Sequence, residues 1–208
     1  MNRNSGFTLI EMVVVLAVVA ILAAILTPTI AKNINDAKIA RANNEVQVIA
    51  AAIGSFFKDL GRWPTSNGAD FTDTIQLLYS TGDTPAIQGG GVAQEQFWLA
   101  DGSGWAANLV DTFDNQLIAN TPGGGTAYVN NASPAPLPEL RWRGPYITEV
   151  KADPWGNHYS CNIWYTFNVT TNFVGLWSAG PDRTSNTDAI QAATAVTIGG
   201  DDVVYRLQ

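Results

Sequence analysis

Few side chains in this sequence have the type and spacing needed for catalysis. The chain has 208 residues and includes one histidine and one cysteine, His158 and Cys161. Such a pair can act in nucleophilic catalysis, but a separation of 161 − 158 = 3 residues places the two side chains on opposite faces of the strand expected here. The sequence also lacks the GxSxG, HExxH and P-loop motifs. We therefore do not expect an enzyme.

The carboxylate of Glu11 stands alone in a long apolar segment. Residues 7–30 read FTLIEMVVVLAVVAILAAILTPTI, and Glu11 is their only charged residue. A helix from Phe7 to Leu26 would be about 30 Å long, the hydrocarbon thickness of a bilayer. A signal peptide has a shorter apolar core, and a plain membrane anchor gives no reason for a buried acid. A lone carboxylate in a membrane by default marks a functional site with a partner.

The composition excludes several classes of protein. The formal net charge is −7, and 14% of the residues are charged. An acidic chain does not favour nucleic acid as a partner, because phosphate binding needs a basic surface. A hydrophobic content of 46% is too high for a disordered chain. With one cysteine, neither a disulfide framework nor a CxxC zinc site is expected.

The elements that must position these residues begin with one long helix. After the apolar segment, residues 31–60 turn amphipathic, with Gly61 as a candidate C-cap and Pro64 beyond it. The pattern predicts a single helix from Phe7 to Leu60, with a weak point between Ala24 and Pro28 because proline removes a helical hydrogen bond. Its core-facing positions are expected to be Val46, Ile49, Ala50, Ile53, Phe57 and Leu60.

The remaining sequence predicts an α+β fold. A short helix is expected at Phe71–Tyr79, with Asp70 or Thr72 as its N-cap. Strands are expected at 146–150, 158–165, 173–178 and 203–207, which are rich in aromatic and β-branched residues. The simplest arrangement packs the amphipathic helix on a small antiparallel β-sheet. Residues 80–140 show little regular pattern beyond a possible helix at 94–99.

The amino-terminal residues carry a family resemblance. Gly6-Phe7-Thr8-Leu9-Ile10-Glu11 resembles the cleavage and methylation motif of type IV pilins and type II secretion pseudopilins. The resemblance implies that a prepilin peptidase removes residues 1–6 after Gly6 and that Phe7 becomes N-methylated. It also implies that Glu11 pairs with the amino terminus of a neighbouring subunit during assembly. Residues 7–30 would then form the membrane and filament-core segment, and residues 31–208 a periplasmic pilin-like domain.

Three later blocks narrow the resemblance. RWPT at 62–65, WRGPY at 142–146 and DPWGN at 153–157 resemble the major pseudopilin of type II secretion. The resemblance implies a structural subunit, anchored once in the bacterial inner membrane, that forms a helical homo-oligomeric filament with other pseudopilins and inner-membrane assembly machinery. Membrane lipid would surround it before assembly. The residues of DPWGN are interpreted as structural, with Asp153-Pro154 opening a turn and Trp155 filling the core.

A calcium site is implied by the same resemblance. The Gly-Pro-Asp and Asp-Asp-Val sequences within residues 176–207 resemble the calcium loop of major pseudopilins. Calcium takes about six to eight hard oxygen ligands. The candidate ligands are the carboxylates of Asp182, Asp201 and Asp202, the hydroxyl of Ser178 and the carbonyl of Leu176, with Asp188 as a substitute. The alternative is an acidic, solvated turn without a metal.

Two other functions remain open from the sequence. One is a type IV pilin or minor pilin of a surface filament for adhesion, motility or DNA uptake, although such pilins commonly close their carboxyl-terminal loop with a cysteine pair. The other is a membrane-tethered periplasmic binding module that uses the loop around Trp98 and Trp105. The binding module would keep its leader, whereas either pilin-like protein would begin at a methylated Phe7.

Overall fold

The computed structural model describes residues 7–67, 75–87, 109–130, 139–166, 172–187 and 191–207. The chain divides into two compact units, residues 1–38 and residues 39–208. Some expectations concern residues outside the described ranges: Gly6 and the rest of the leader, the caps Asp70 and Thr72, the helix at 94–99, the loop tryptophans Trp98 and Trp105, and Asp188.

The expected long helix is present. Helix α1 spans Leu9–Leu60, so the prediction from Phe7 is confirmed except for its first two residues. It ends at Gly61, whose amide donates to the Phe57 carbonyl over 2.8 Å. Gly61 has a φ of 68°, a left-handed conformation that favours glycine, and it therefore acts as the expected C-cap.

Proline does not interrupt α1. The helix continues through Pro28, so the expected weak point between Ala24 and Pro28 does not end it. Directly before Pro28, the Thr27 hydroxyl donates to the Ala23 carbonyl over 2.7 Å. A helix can accommodate proline when only the local hydrogen bond is lost and the flanking turns hold.

In the second unit, α1 buries one face against the core. The buried residues of α1 are Ala42, Val46, Ile49, Ala50, Ala52, Ile53 and Phe56. The prediction of Phe57 as a core residue is wrong, because Phe57 is 40% exposed and its ring lies 4.6 Å from that of Trp63. Phe56 is fully buried instead, in edge-to-face contacts with Tyr128 and Tyr146.

The strands are β1 (Leu77–Tyr79), β2 (Ala86–Ile87), β3 (Val110–Thr112), β4 (Ser160–Cys161), β5 (Gly175–Ser178), β6 (Thr184–Ser185) and β7 (Val203–Arg206). Five of them form a sheet in the order β3-β1-β4-β5-β7, and β2 pairs with β6 in a separate two-stranded sheet. The β1–β3 pair is parallel, while the β1–β4, β4–β5 and β5–β7 pairs are antiparallel. The α+β class is thus confirmed, but the main sheet is mixed rather than wholly antiparallel.

The individual strand predictions succeed mainly at the carboxyl end. β5 and β7 lie within the expected strands, and β4 is a short part of the expected strand at 158–165. Residues 146–150 form no strand; Tyr146 and Ile147 pack on the core as irregular chain instead. The expected helix at 71–79 is wrong for residues 77–79, which form β1 because β3 and β4 pair with them.

The core lies where α1 meets the main sheet. Its buried cluster includes Ile53 and Phe56 from α1, Leu78 from β1 and Leu176 from β5. The region 80–140, for which little pattern was expected, contributes β3 and a π-helix at Asp114–Ile118. Two side chains of that region, Phe113 and Leu117, are fully buried in the same cluster.

Candidate assembly site and acidic loop

The amino end of α1 is closed by a reciprocal cap between Thr8 and Glu11. The amide and the hydroxyl of Thr8 both donate to Glu11 Oε2, over 2.8 and 2.7 Å. The Glu11 amide in turn approaches Thr8 Oγ1 at 3.4 Å. A Thr-x-x-Glu sequence is the signature of such a capping box, although this cap was not predicted above. Glu11 thus has a role within its own chain, and its other oxygen, Oε1, has no hydrogen bond among the described residues.

The segment after this cap is apolar and uncovered. The side chains of residues 7–34 are all exposed, including Phe7 at 79%. A window of α1 near the amino terminus is long and apolar enough to cross a membrane, and none of it is buried in the chain. An apolar surface of this length is suited to contact with lipid or with other subunits.

At the carboxyl end, three acidic side chains organise residues 182–187 and 201–202, which we call the acidic loop. Asp182 accepts the Thr184 amide at Oδ1 over 2.7 Å and the Asn186 side-chain amide at Oδ2 over 3.1 Å. Asp201 Oδ2 accepts the Asp182 amide over 3.1 Å. Asp202 Oδ2 accepts the amides of Asn186 and Thr187. Each candidate carboxylate therefore fixes the main chain of the segment 182–187.

The two other candidate ligands lie in the sheet. Leu176 is in β5 and is paired with Cys161 on one side and Tyr205 on the other. The Ser178 hydroxyl donates to Asp153 Oδ2 over 2.6 Å. Asp153 Oδ1 also accepts the amides of Trp155 and Asn157, which confirms the expected turn, whereas Trp155 is only partly buried and packs against the core rather than filling it. The Ser178 hydroxyl thus connects β5 to this turn.

The donor set of the loop suits a hard cation in part. Asp202 is 8% exposed, and its Oδ1 atom is buried without a hydrogen-bond partner. Burial, followed by the charge of Asp182, raises the pKa of Asp201. Burial also raises the pKa of Asp202, against the hydrogen bonds that its carboxylate accepts. A cation would offset both effects, but the described residues hold no ready group of three acidic, histidine or cysteine side chains around one point.

The cysteine considered for catalysis is part of the core. Cys161 lies in β4 and is fully buried in the hydrophobic cluster. Burial raises the pKa of its thiol well above the ordinary range, which keeps the sulfur protonated and unreactive.

A buried polar network in the region 109–130 was not foreseen. The carboxylate of Asp111 accepts four hydrogen bonds, from the amides of Thr112 and Gly123 and the side chains of Asn115 and Gln116. Gln116 continues the network to the Ser66 carbonyl and to the Tyr128 hydroxyl. The Asp, Thr and Asn residues at 111–115 are a turn signal, but the sequence does not show which donors they meet.

Two family models match separate parts of the chain. The family model described as the prokaryotic N-terminal methylation motif matches residues 1–27. The model described as type II secretion system (T2SS), protein G matches residues 112–196, which include β4, β5 and the first part of the acidic loop. No solved structure matches the chain.

Three relatives illustrate the likeness. The type II secretion system core protein G of Aeromonas hydrophila is 24% identical over 187 residues, 90% of each chain. The core protein G of Pseudomonas aeruginosa is 36% identical over 65 residues, 31% of this chain and 46% of that protein. The fimbrial protein EcpC of Eikenella corrodens is 36% identical over 66 residues, 32% of this chain and 43% of that protein. The alignments to the last two thus span less than half the length of each relative.

The exposed apolar helix, its processing motif and the mixed sheet define a type IV pilin-like protein. Within this class, the chain is similar to pseudopilins of the type II secretion protein G kind. The predicted resemblance is therefore confirmed. Proteins of this kind are structural subunits and do not belong to a known class of enzyme.

Proposed function

We propose that the chain is a structural subunit of a pseudopilus that assembles from the bacterial inner membrane and serves type II protein secretion. The exposed apolar part of α1 is the observation that carries the proposal. Before assembly, lipid would cover this surface, with one crossing of the membrane and residues 31–208 in the periplasm. After assembly, the same surface would be covered by the α1 helices of other subunits in a helical filament.

Processing would prepare the amino end for the replacement of lipid by other subunits. Cleavage after Gly6 by a prepilin peptidase would create a new, methylated amino terminus at Phe7. This positive group would lie among apolar side chains, where an isolated charge is costly. Glu11 of a neighbouring subunit can neutralise it, and the unbonded Oε1 atom is available to do so while Oε2 keeps the cap with Thr8. The inner-membrane assembly machinery and other pseudopilins would be further partners.

Glu11→Gln separates the charge of Glu11 from its capping role. Glutamine also serves at this position of a capping box, so the helix should keep its amino end. Removing one partner of a buried ion pair costs about 3–5 kcal/mol, which should reduce filament yield by well over about ten-fold. We expect electron microscopy to show this loss, with unchanged amounts of protein in the membrane fraction. The exposed Glu139→Gln serves as the matched control, and normal filaments from Glu11→Gln would contradict the proposal.

The relative named as a fimbrial protein supports a second candidate, a surface filament. The likeness to a fimbrial protein covers about a third of the chain. The protein G model instead matches residues of the second unit, which favours secretion. A deletion strain distinguishes them: loss of secreted enzymes from the medium supports the pseudopilus, whereas normal secretion with loss of adhesion or motility supports the surface pilus.

We further propose that the acidic loop binds calcium. The carboxylates of Asp182, Asp201 and Asp202 would hold the ion, and Asp202 Oδ1 supports this because it is buried and unbonded. When bound, calcium would supply the positive charge that this group of acids lacks. The hydroxyl of Ser178 and the carbonyl of Leu176 stay further candidates, and Asp188 remains a substitute.

Melting in calcium and in a chelator tests the metal site. At a concentration of about 100 times the dissociation constant, calcium should add about 2.7 kcal/mol and raise the melting temperature by about 5–10 °C. Asp202→Asn should lose that increment, since asparagine keeps an acceptor for the Asn186 and Thr187 amides but has no charge. The exposed Asp114→Asn is the control. Equal melting of the wild-type protein in both conditions would contradict the metal site.

A further inference from the structure

Two separate stretches of the chain meet beside the acidic loop. Asp83 forms a parallel bridge with Asn157 of the DPWGN turn. The Asp83 amide donates to the Gly156 carbonyl over 2.8 Å, and the His158 amide donates to the Asp83 carbonyl over 3.0 Å. The acidic loop joins them through Arg183, which directly follows the candidate ligand Asp182.

Arg183 connects the acidic loop to both stretches with its side chain. Its Nη2 atom lies 3.0 Å from Asp83 Oδ2, and its Nε atom donates to Asn157 Oδ1 over 3.3 Å. Its backbone has a φ of 58°, a left-handed conformation in which glycine would fit with less strain. A non-glycine residue keeps this sparsely populated conformation only where the surrounding structure holds it.

A second connection runs through the main chain. β6 begins directly after Arg183 and pairs in parallel with β2, joining Thr184 to Ala86 and Ser185 to Ile87. The carboxylates of Asp182 and Asp202 hold the amides at 184, 186 and 187, so the same acids that would bind the ion also set the shape of β6. An isolated two-stranded ribbon of this length is marginal in water, so it depends on its surroundings.

We propose that Arg183 is a positioning residue that couples the acidic loop to the segment 83–87. An ion held by the carboxylates would fix residues 182–187, and β6 together with Arg183 would transmit this order to Asp83 and to β2. This inference rests on the calcium site proposed above, for which the buried, unbonded Asp202 Oδ1 is the independent support.

Hydrogen–deuterium exchange on the full chain in detergent tests the coupling. In the wild-type protein, calcium should slow exchange at the amides of 182–187 and also, by about five-fold, at Asp83, Ala86 and Ile87. In Arg183→Gly, which relieves the backbone strain, calcium should still slow 182–187 but should slow 83–87 by less than about two-fold. In chelator, this variant should raise exchange at 83–87 by up to about five-fold, the range of an exposed ion pair, and leave β5 unchanged. The exposed Arg143→Gly is the control.

The possible outcomes distinguish a failure of the coupling from a failure of the calcium site. If calcium slows neither segment of the wild-type protein and does not raise its melting temperature, the calcium site is wrong and the coupling falls with it. If calcium slows 182–187 but not 83–87, the calcium site stands and the coupling is overturned. Equal protection of 83–87 by calcium in Arg183→Gly and in the wild-type protein would also overturn the role of Arg183.

Discussion

Replacing Asp111 with asparagine should lower the free energy of unfolding more than replacing an exposed acid does. Asp111 is 4% exposed, and each of its carboxylate oxygens accepts two hydrogen bonds. Oδ1 accepts from the Thr112 amide and the Asn115 side chain, over 2.8 and 2.6 Å. Oδ2 accepts from the Gln116 side chain and the Gly123 amide, over 2.6 and 2.8 Å. The residue therefore joins β3, the π-helix and the turn at Gly123.

The size of the effect follows from these four bonds. Asparagine keeps one acceptor oxygen but turns an NH₂ group towards two donors, so at least two bonds are lost. Hydrogen bonds to charged groups contribute about 1.5–3 kcal/mol each, which predicts a loss of at least about 3 kcal/mol. At about 2–4 °C per kcal/mol for a chain of this size, the melting temperature should fall by about 6–12 °C.

Urea unfolding of the full chain in detergent, followed by tryptophan fluorescence, measures this change. Trp142 is a suitable reporter, because its indole Nε1 donates to the Gln116 carbonyl within the same network. Asp114→Asn alters an exposed acid three residues along and should change the free energy of unfolding by less than about 0.5 kcal/mol. If the two variants lose the same stability, the network does not hold this region and the reasoning is refuted.

Two further predictions concern the core and the pH dependence of stability. Phe56→Ala should cost about 3–5 kcal/mol in urea unfolding, because Phe56 is fully buried against Tyr128 and Tyr146, whereas Phe57→Ala should cost less than about 1.5 kcal/mol; equal losses would contradict the assigned helix face. Burial raises the pKa of Tyr146 to about 12, so the stability that its neutral phenol contributes is fully present below pH 10 and is lost as the pH rises through 12. The free energy of unfolding should fall across that window and fall less in Tyr146→Phe, and an unchanged pH profile in this variant would count against the assignment.

The helix was predictable because its pattern is long, but its buried face was predictable only in part. Relative to Ile53, positions 56 and 57 lie about 60° and 40° away on either side of the same helical face, so periodicity alone cannot choose between them. Tertiary partners decide: Tyr128 and Tyr146 surround Phe56, while Trp63 covers Phe57 outside the core.

Pairing between distant segments explains most of the other differences between the predicted and the observed secondary structure. Leu77, Leu78 and Tyr79 form a short apolar run that suits a helix or a strand equally well, and β3 and β4 make it a strand. Tyr146 and Ile147 have strand-forming side chains, but no strand among the described residues pairs with this segment, so only their burial was predictable.

The candidate sites show the same division. The spacing of Thr8 and Glu11 is sufficient to predict the capping box, because the partners are three residues apart. The contacts of Arg183 with Asp83 and Asn157 join residues 100 and 26 positions apart and could not be read from any local pattern.

The amino terminus of the processed chain tests the central claim most directly. The full chain would be produced together with a prepilin peptidase, purified from membranes and examined by intact-mass and fragment mass spectrometry. The account predicts a chain that lacks residues 1–6 and begins with a singly methylated Phe7. A chain that keeps Met1 under these conditions, or one cleaved elsewhere, would contradict its assignment as a pseudopilin subunit.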